Sequence, residues 1–367
     1  MKILLLGEYS NVHATLSKAL KKRGHEVLLI SNGDFWKNYP RDIDLSRRYT
    51  KLGGLLYWLK VMMLLPRLRN FDIVQIINPM FLELKAQRIF PIYNYLKKHN
   101  KRIVLCAMGM DHYWVDACTI HKHLRYSDFN IHDQLRTNKD AIAEQKDWLS
   151  TSKETLNKHI ANTCDAIVSG LYEYWATYQL YFPQKNTFIP FPISTESQPK
   201  EIESFHYPLK IFIGISKHRH EYKGTDIMLH AAKAIATKYP SKVILHEVNG
   251  VPFNEYQQIM NGSDVLLDQL YSYTPAMNGL LAMSKGIICV GGGEPENYNI
   301  LNESSLKPIV NVEPNYESIE KALEELVLSP NKIQQLKEDS IRYIQKHHDA
   351  NKVAKQYEDL YLQLLKS

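Results

Sequence analysis

Cysteine is scarce in this sequence, and the few cysteines form no disulfide or metal-ligand pattern. The 367-residue chain has four of them, and no two are spaced as a CxxC pair. We therefore expect neither a disulfide framework nor a thiolate zinc site. We expect the protein to lie in a reducing compartment. The four are Cys106, Cys118, Cys164 and Cys289.

Long apolar runs and a strong charge bias are also missing. Only Ile3 to Leu6 separate Lys2 from Gly7, far short of the ~7 to 15 apolar residues of a signal peptide, so we expect a cytoplasmic protein. A total of 45 Lys and Arg against 39 Asp and Glu gives a formal net charge of +6. This mild excess suits an anionic substrate or lipid surface, and we do not expect nucleic acid as a partner.

The glycine fingerprint of dinucleotide-binding enzymes is absent. The segment that follows the first apolar run, GEYSNVH, contains a single glycine, Gly7, where a nicotinamide or flavin enzyme has GxGxxG. No cofactor is expected on this ground.

What the sequence does contain is a strand, helix, strand pattern that occurs twice. The first copy, KILLLGEYSNVHATLSKALKKRGHEVLLI, starts at Lys2, and the second, KIFIGIS followed by a helical pattern from Thr225 and KVILHEV, starts at Lys210. Alternating strands and helices predict an α/β fold with parallel sheets in two Rossmann-like domains. Further short strands bounded by Gly or Pro are predicted in the ranges 72–79, 102–109, 165–170, 264–270 and 286–293.

The domain limits follow from composition. The segment 188–194, FIPFPIS, holds two prolines and precedes a polar, helix-poor stretch, which is typical of an interdomain connection. We therefore predict an N-terminal domain over 1–190 and a C-terminal domain over 191–345, with a cleft between them. Apolar residues at three- and four-residue spacing predict a final amphipathic helix over 346–367, packed back on the N-terminal domain.

Several motifs, in this order and spacing, resemble glycosyltransferases of the GT-B fold, and among them the retaining family 4 known from bacterial surface polysaccharides. They are LSKALKKRGHEV (16–27), AIVSG and FIPFPIS, the segment from Gly214 to EYKGTD, and GLLAMSKGIICVGG (279–292). The resemblance implies a retaining, metal-independent transfer of a sugar from a nucleotide diphosphate sugar to a saccharide or lipid-linked saccharide. Two alternatives stay open: a nucleotide-sugar epimerase of the same fold, and a nucleotide-sugar binding protein that has lost catalysis.

Lys223 is the principal catalytic candidate. Sugar transfer without a metal requires cations and backbone N–H groups around the departing diphosphate. Lys223 directly precedes Gly224 and a predicted helix, so an ammonium and a helix N-terminus meet at one place. The family has an arginine a few residues earlier, and here Arg219 or Lys217 is its substitute. The alternative is a solvated, charged loop.

The chain departs from the family at two glutamates. Tyr273 and Leu281 stand where the family has carboxylates that hold the sugar and the ribose. Asp268, Glu294 and Glu296 are the nearby carboxylates at the donor side, and of these we predict Glu294 and Asp268 as partial replacements. A loop or cap role is the alternative for Asp268.

The resemblance assigns further donor and acceptor residues. Asp111 and His112, in AMGMDHYWVD, are expected near the transferred sugar, with Asp111 orienting the acceptor, and His13 is expected at the acceptor. The remaining donor-binding candidates are Ser10 and Asn11 in the first loop, Val251, Pro252 and Phe253 at the nucleobase, Tyr273 at the position of a family glutamate, and Thr274, Ala276, Met277 and Asn278 at the phosphates.

A metal ion is not expected. His112, Cys118, His121 and His123 match no common zinc spacing, and no suitably placed DxD motif occurs.

One apolar segment indicates a partner. LGGLLYWLKVMMLLP, 52–66, has basic residues on both sides and is too short to span a bilayer of ~30 Å. It predicts either a helix that lies on an anionic membrane or a helix packed on the sheet, and both hold if only one face is buried.

Overall fold

The computed structural model describes residues 1–196, 198–199, 202, 204–215 and 220–367, in which strands and helices alternate through both halves of the chain. The strands are β1 (Lys2–Leu6), β2 (Glu26–Ser31), β3 (Ile43–Asp44), β4 (Ile73–Ile76), β5 (Arg102–Ala107), β6 (Asn130–Ile131), β7 (Gln134–Leu135), β8 (Ala166–Ser169), β9 (Asn186–Phe188), β10 (Leu209–Ile215), β11 (Val243–Asn249), β12 (Val265–Leu267), β13 (Ile288–Gly291) and β14 (Val310–Asn311). The helices are α1 (Val12–Lys22), α2 (Lys51–Leu64), α3 (Ala86–His99), α4 (His112–Asp116), α5 (Lys139–Trp148), α6 (Ser152–Thr163), α7 (Tyr172–Tyr181), α8 (His220–Lys223), α9 (Thr225–Lys238), α10 (Phe253–Asn261), α11 (Met277–Met283), α12 (Pro295–Ile300), α13 (Tyr316–Leu328), α14 (Pro330–Tyr343) and α15 (Ala350–Lys366).

The first half forms a seven-stranded parallel sheet in the order β3-β2-β1-β4-β5-β8-β9. Side chains alternate across a strand, so Ile3 and Leu5 of β1 pack in one apolar cluster while Leu4 and Leu6 pack in another. Both faces of the sheet are therefore covered, which explains the unbroken apolar run of β1.

The second half forms a five-stranded parallel sheet in the order β11-β10-β12-β13-β14. The chain reverses its direction of winding between β10 and β12, which is the point where open parallel sheets bind ligands beyond the carboxyl ends of their strands. Asp268 directly follows β12, and Lys223 ends α8, the first described helix after β10. The predicted architecture of two Rossmann-like domains facing across a cleft is confirmed.

The C-terminal helix crosses back to the first half. It begins at Ala350, four residues after the predicted start, because the carboxylate of Asp349 accepts hydrogen bonds from the N–H groups of Asn351 and Lys352 and so starts a new helix. Glu358 then pairs with Arg23 and with His25 of the first half. The precise limits of 1–190, 191–345 and 346–367 stay predictions.

A buried chain of hydrogen bonds connects α15 to the loop after β1. The hydroxyl of Tyr361 donates to Gln75 Oε1 over 2.7 Å, the Gln75 amide lies 3.1 Å from His13 Nε2, and His13 Nδ1 lies 2.8 Å from the carbonyl of Gly7. If His13 carries a proton on Nδ1 alone, Nδ1 donates to Gly7 and Nε2 accepts from the Gln75 amide, so each of these hydrogen bonds has one donor and one acceptor. Burial accordingly lowers the pKa of His13 to about 4.

Candidate functional site

A cavity of about 790 Å³ lies between the two halves, at the carboxyl ends of their strands. The charged residues that line it, among those described, are Lys37, Lys223, Lys285 and Asp268, so the lining has a cationic excess. Such a cavity favours an anionic ligand. Predicted site residues that line it are Ser10, Asn11, Lys223, Val251, Phe253, Asp268, Ala276, Met277 and Asn278.

Lys223 is the last residue of α8 and lies at the start of α9. Gly224 between them has a φ of 72°, and a Cβ there would lie 2.6 Å from Leu270 Cβ, so glycine is required for this tight turn. Lys223 and Thr225, the first residue of α9, both line the cavity. Lys223 and the positive end of the α9 dipole therefore both adjoin the cavity, and the catalytic role of Lys223 stays a prediction.

Asp268 follows β12 and lies beside Lys223. Its Oδ2 accepts a hydrogen bond from the N–H group of Ala276 over 3.3 Å, directly before α11. Asp268 therefore makes the loop contact that is the alternative to a binding role, and it also lines the cavity. Burial raises the pKa of Asp268 to about 6, although the charge of Lys223 acts in the opposite direction. A donor-binding role for Asp268 stays a prediction.

The first loop carries a buried carboxylate that sequence reasoning missed. Glu8 accepts hydrogen bonds from the N–H groups of His13 (3.2 Å) and Ala14 (2.7 Å), so a side chain of the protein fills the N-terminus of α1. Burial raises the pKa of Glu8 to about 8. The sequence signal that could have identified this cap is an acidic residue just before a helical pattern. Ser10 and Asn11, further along this loop, face the cavity.

Other cavity residues were also missed because they come from segments distant in the sequence. Trp36, Lys37 and Tyr39 reach the cavity from the loop after β2. Tyr256 lies on α10, and its hydroxyl accepts a hydrogen bond from Asn278 Nδ2 over 3.0 Å. Gly214 permits this packing, because a Cβ there would lie 2.7 Å from the Tyr256 ring.

Two predicted donor residues lie instead in the contact between the halves. Glu173 of α7 accepts hydrogen bonds from the N–H groups of Tyr273 (2.9 Å) and Thr274 (3.2 Å) and from the Thr274 hydroxyl (2.6 Å). All three residues are buried, and neither Tyr273 nor Thr274 is among the described residues that line the cavity. The N–H groups of both residues thus already have Glu173 as their acceptor, and their donor-binding roles stay predictions.

The predicted carboxylates Glu294 and Glu296 belong to the same contact. Arg125 of the first half pairs with Glu294 over 2.6 Å and also with Glu296. The hydroxyl of Tyr126 donates to Glu294 over 2.7 Å. These carboxylates form contacts between the halves and do not line the cavity in the described structure, and their donor-binding roles stay predictions.

Asp111, His112 and His13 are buried inside the first half and do not line the cavity in the described structure. Asp111 caps α4 through Trp114 N (2.8 Å) and accepts a hydrogen bond from the Tyr178 hydroxyl (2.8 Å), and burial raises the pKa of Asp111 to about 6. Burial lowers the pKa of His112. The structure thus places these groups away from the described cavity lining, and their expected roles at the sugar and acceptor stay predictions.

Three predicted residues remain. Pro252 directly precedes α10 and is not part of the described cavity lining. Arg219 and Lys217 lie outside the described residues. The described residues also contain no group of three or more His, Cys, Asp or Glu side chains placed to hold a metal ion, and metal independence stays a prediction.

Comparison with known proteins gives matches in structure but not in sequence. No protein-family model and no curated protein sequence matches the chain. Sucrose-phosphate synthase from Thermosynechococcus elongatus is similar over 100% of both chains, with 12% identity and a TM-score of 0.64. The catalytic domain of starch synthase IV from Arabidopsis thaliana, bound to ADP and acarbose, is similar over 100% of both chains, with 12% identity and a TM-score of 0.60.

A third solved structure, Anabaena HepE in complex with UDP-glucose, has 10% identity and a TM-score of 0.60 over 99% of this chain and 100% of its own. At these identities the similarity concerns the fold. The chain accordingly has the GT-B fold, with its cationic cavity in the cleft between the two Rossmann-like domains.

Proposed function

We propose that this protein is a glycosyltransferase that moves a sugar from a nucleotide diphosphate sugar to a saccharide or lipid-linked saccharide, with retention and without a metal ion. The observation that carries the proposal is the placement of Lys223 and the N-terminus of α9 in the cavity between the two domains. The GT-B fold and the motif resemblance support the same reaction class.

The chemistry needed from the protein is electrostatic. When the bond between the sugar C1 and the diphosphate oxygen breaks, negative charge develops on the leaving phosphate, and the Lys223 ammonium stabilises it. The acceptor hydroxyl forms the new bond on the same face of the sugar, and its proton passes to the departing phosphate oxygen. No protein nucleophile is required in this scheme, which agrees with the burial of Asp111.

Nucleotide binding followed by donor turnover tests the proposal. We expect one of UDP, GDP, CDP, ADP or dTDP to raise the melting temperature by a few degrees at roughly a hundredfold excess over its Kd. The matching nucleotide sugar is expected to release nucleotide when a saccharide acceptor is added. Binding without release would indicate a protein that has lost catalysis, and sugar isomerisation without release would indicate an epimerase.

A lipid-linked acceptor is supported by the exposed face of α2. Tyr57 and Val61 are buried on one side of this helix. Apolar residues at helical spacing are exposed on another side, namely Leu52, Leu55, Leu56, Leu59 and Met63. Exposed cations flank the helix, namely Arg48, Lys51, Arg67 and Arg69. We propose that this face binds an anionic membrane surface. Among the described helices, none has the length and apolar character needed to cross a bilayer.

Charge placed on this face should weaken vesicle binding. We expect the intact protein to sediment with phosphatidylglycerol-containing vesicles at low salt. The double variant Leu52→Glu, Leu56→Glu should bind at least about tenfold more weakly, because two exposed leucines that would enter the membrane surface are lost and two anions are added. Leu328→Glu with Leu362→Glu, two exposed leucines elsewhere, is the matched control. Failure of the unmodified protein to sediment would contradict the membrane proposal.

A further inference from the structure

Aromatic side chains from both halves meet at the cavity. Trp36, in the short helical turn Phe35–Lys37 after β2, and Phe253, the first residue of α10, have ring centroids 5.3 Å apart at an interplanar angle of 85°. Tyr39 approaches the same Phe253 ring at 6.0 Å and 88°. All three line the cavity, yet Trp36 keeps 63% of its surface exposed. Its ring therefore retains a large free surface at this site.

The turn that presents Trp36 is held in an uncommon backbone conformation. Asp34 and Phe35 both have a φ of 58°, in the left-handed region that a bulky residue such as Phe35 rarely adopts. Asp34 is fixed by Ser10 N over 2.9 Å and by Lys37 Nζ over 2.6 Å. Such strain persists where surrounding contacts enforce it, and it marks candidate ligand contacts.

Strand order places these rings next to the proposed phosphate contact. Phe253 follows β11, Lys223 follows β10, and Asp268 follows β12, and these three strands are consecutive in the sheet. Adjacent strands lie about 5 Å apart. A ligand that contacts both the aromatic rings and Lys223 thus needs a flat apolar ring at one end. It also needs an anionic group within roughly 5 to 10 Å of that ring. A nucleoside diphosphate has this form.

We propose that Trp36 is a positioning residue for the nucleobase, which stacks on its exposed ring beside Phe253. The base is then held by both halves of the molecule. This inference rests on the proposed function, because it requires a nucleotide in the cavity. Stacking on an aromatic ring tolerates every base, so Trp36 contributes affinity rather than base choice.

Calorimetric titration with each of UDP, GDP, CDP, ADP and dTDP, and with inorganic pyrophosphate, tests the assignment. Trp36→Ala should lower the affinity for the nucleotide by about fivefold to a hundredfold, the range for loss of one stacked base. Trp36→Phe should keep most of the affinity. Pyrophosphate, which has no base, should bind the unmodified protein and Trp36→Ala with equal affinity.

Tryptophan fluorescence supplies a second readout. The nucleotide should quench the emission of the unmodified protein, and Trp36→Phe should remove that quenching. Trp58→Phe, a tryptophan of α2 outside the described cavity lining, should retain it. Equal nucleotide affinity in Trp36→Ala, or an equal loss of pyrophosphate affinity, would overturn the inference. If no nucleotide binds the unmodified protein, the proposed function itself fails.

Discussion

Replacing Lys223 by alanine should lower sugar transfer by about tenfold to a thousandfold, the range for removing one electrostatic stabiliser of a transition state. The ammonium group lies in the cavity between the halves, beside Asp268 and the N-terminus of α9. Its loss removes one of the cations that line the cavity and so weakens the stabilisation of the charge expected on the departing diphosphate. Initial rates with the matching nucleotide sugar, at saturating acceptor, measure the effect.

Lys233→Ala is the matched control for this experiment. Lys233 lies on α9, the helix that starts two residues after Lys223, and pairs with Glu247 on the exposed surface. Its removal should leave transfer unchanged, because surface ion pairs contribute little. Lys223→Arg retains the charge and should keep more activity than the alanine variant. Full activity in a folded Lys223→Ala protein would contradict the central assignment.

Replacing Glu173 by alanine should destabilise the contact between the halves by about 3 to 5 kcal/mol. The change leaves the N–H groups of Tyr273 and Thr274, and the Thr274 hydroxyl, without their acceptor in a buried interface. Each unsatisfied donor costs about 1 to 3 kcal/mol, and neighbouring losses are not additive. Denaturant unfolding followed by fluorescence measures the change.

Glu338→Ala is the control, because Glu338 is an exposed residue of α14. Its free energy of unfolding should stay within about 0.5 kcal/mol of that of the unmodified protein. Glu173→Gln keeps the shape of the side chain and one acceptor oxygen, so it should lie between the two. If Glu173→Ala unfolds at the same denaturant concentration as Glu338→Ala, the buried hydrogen bonds between the halves do not contribute as described.

The fold was predictable because its strands are apolar and bounded by turn residues. KILLL, RIVLC and AIVS each become a buried strand in a parallel sheet, since both faces of that sheet exclude water. Lys223 and Asp268 were predictable as cavity residues for a related reason. Each follows such a strand, and the carboxyl ends of parallel strands share one edge.

The rest of the cavity depends on contacts that a linear pattern does not contain. Trp36 reaches the site through a left-handed turn, and its neighbour Phe253 lies more than two hundred positions away. The family resemblance assigns Tyr273 and Thr274 to the loop before α11, but it does not tell which side of that loop faces the cavity. The buried carboxylate of Glu173 decides that orientation, and its own sequence surroundings give no sign of a partner in the other half.

The position of α15 has a consequence for how the chain folds during synthesis. One face of the first sheet is covered by α1 together with Val353, Tyr357 and Tyr361 of α15, and the buried amide of Gln75 receives its hydroxyl partner from Tyr361. At about 5 to 20 residues per second, Tyr361 leaves the ribosome's active centre roughly ten to thirty seconds after residue 190. The part of this apolar face that α15 covers therefore stays exposed on the nascent first half until α15 has been translated.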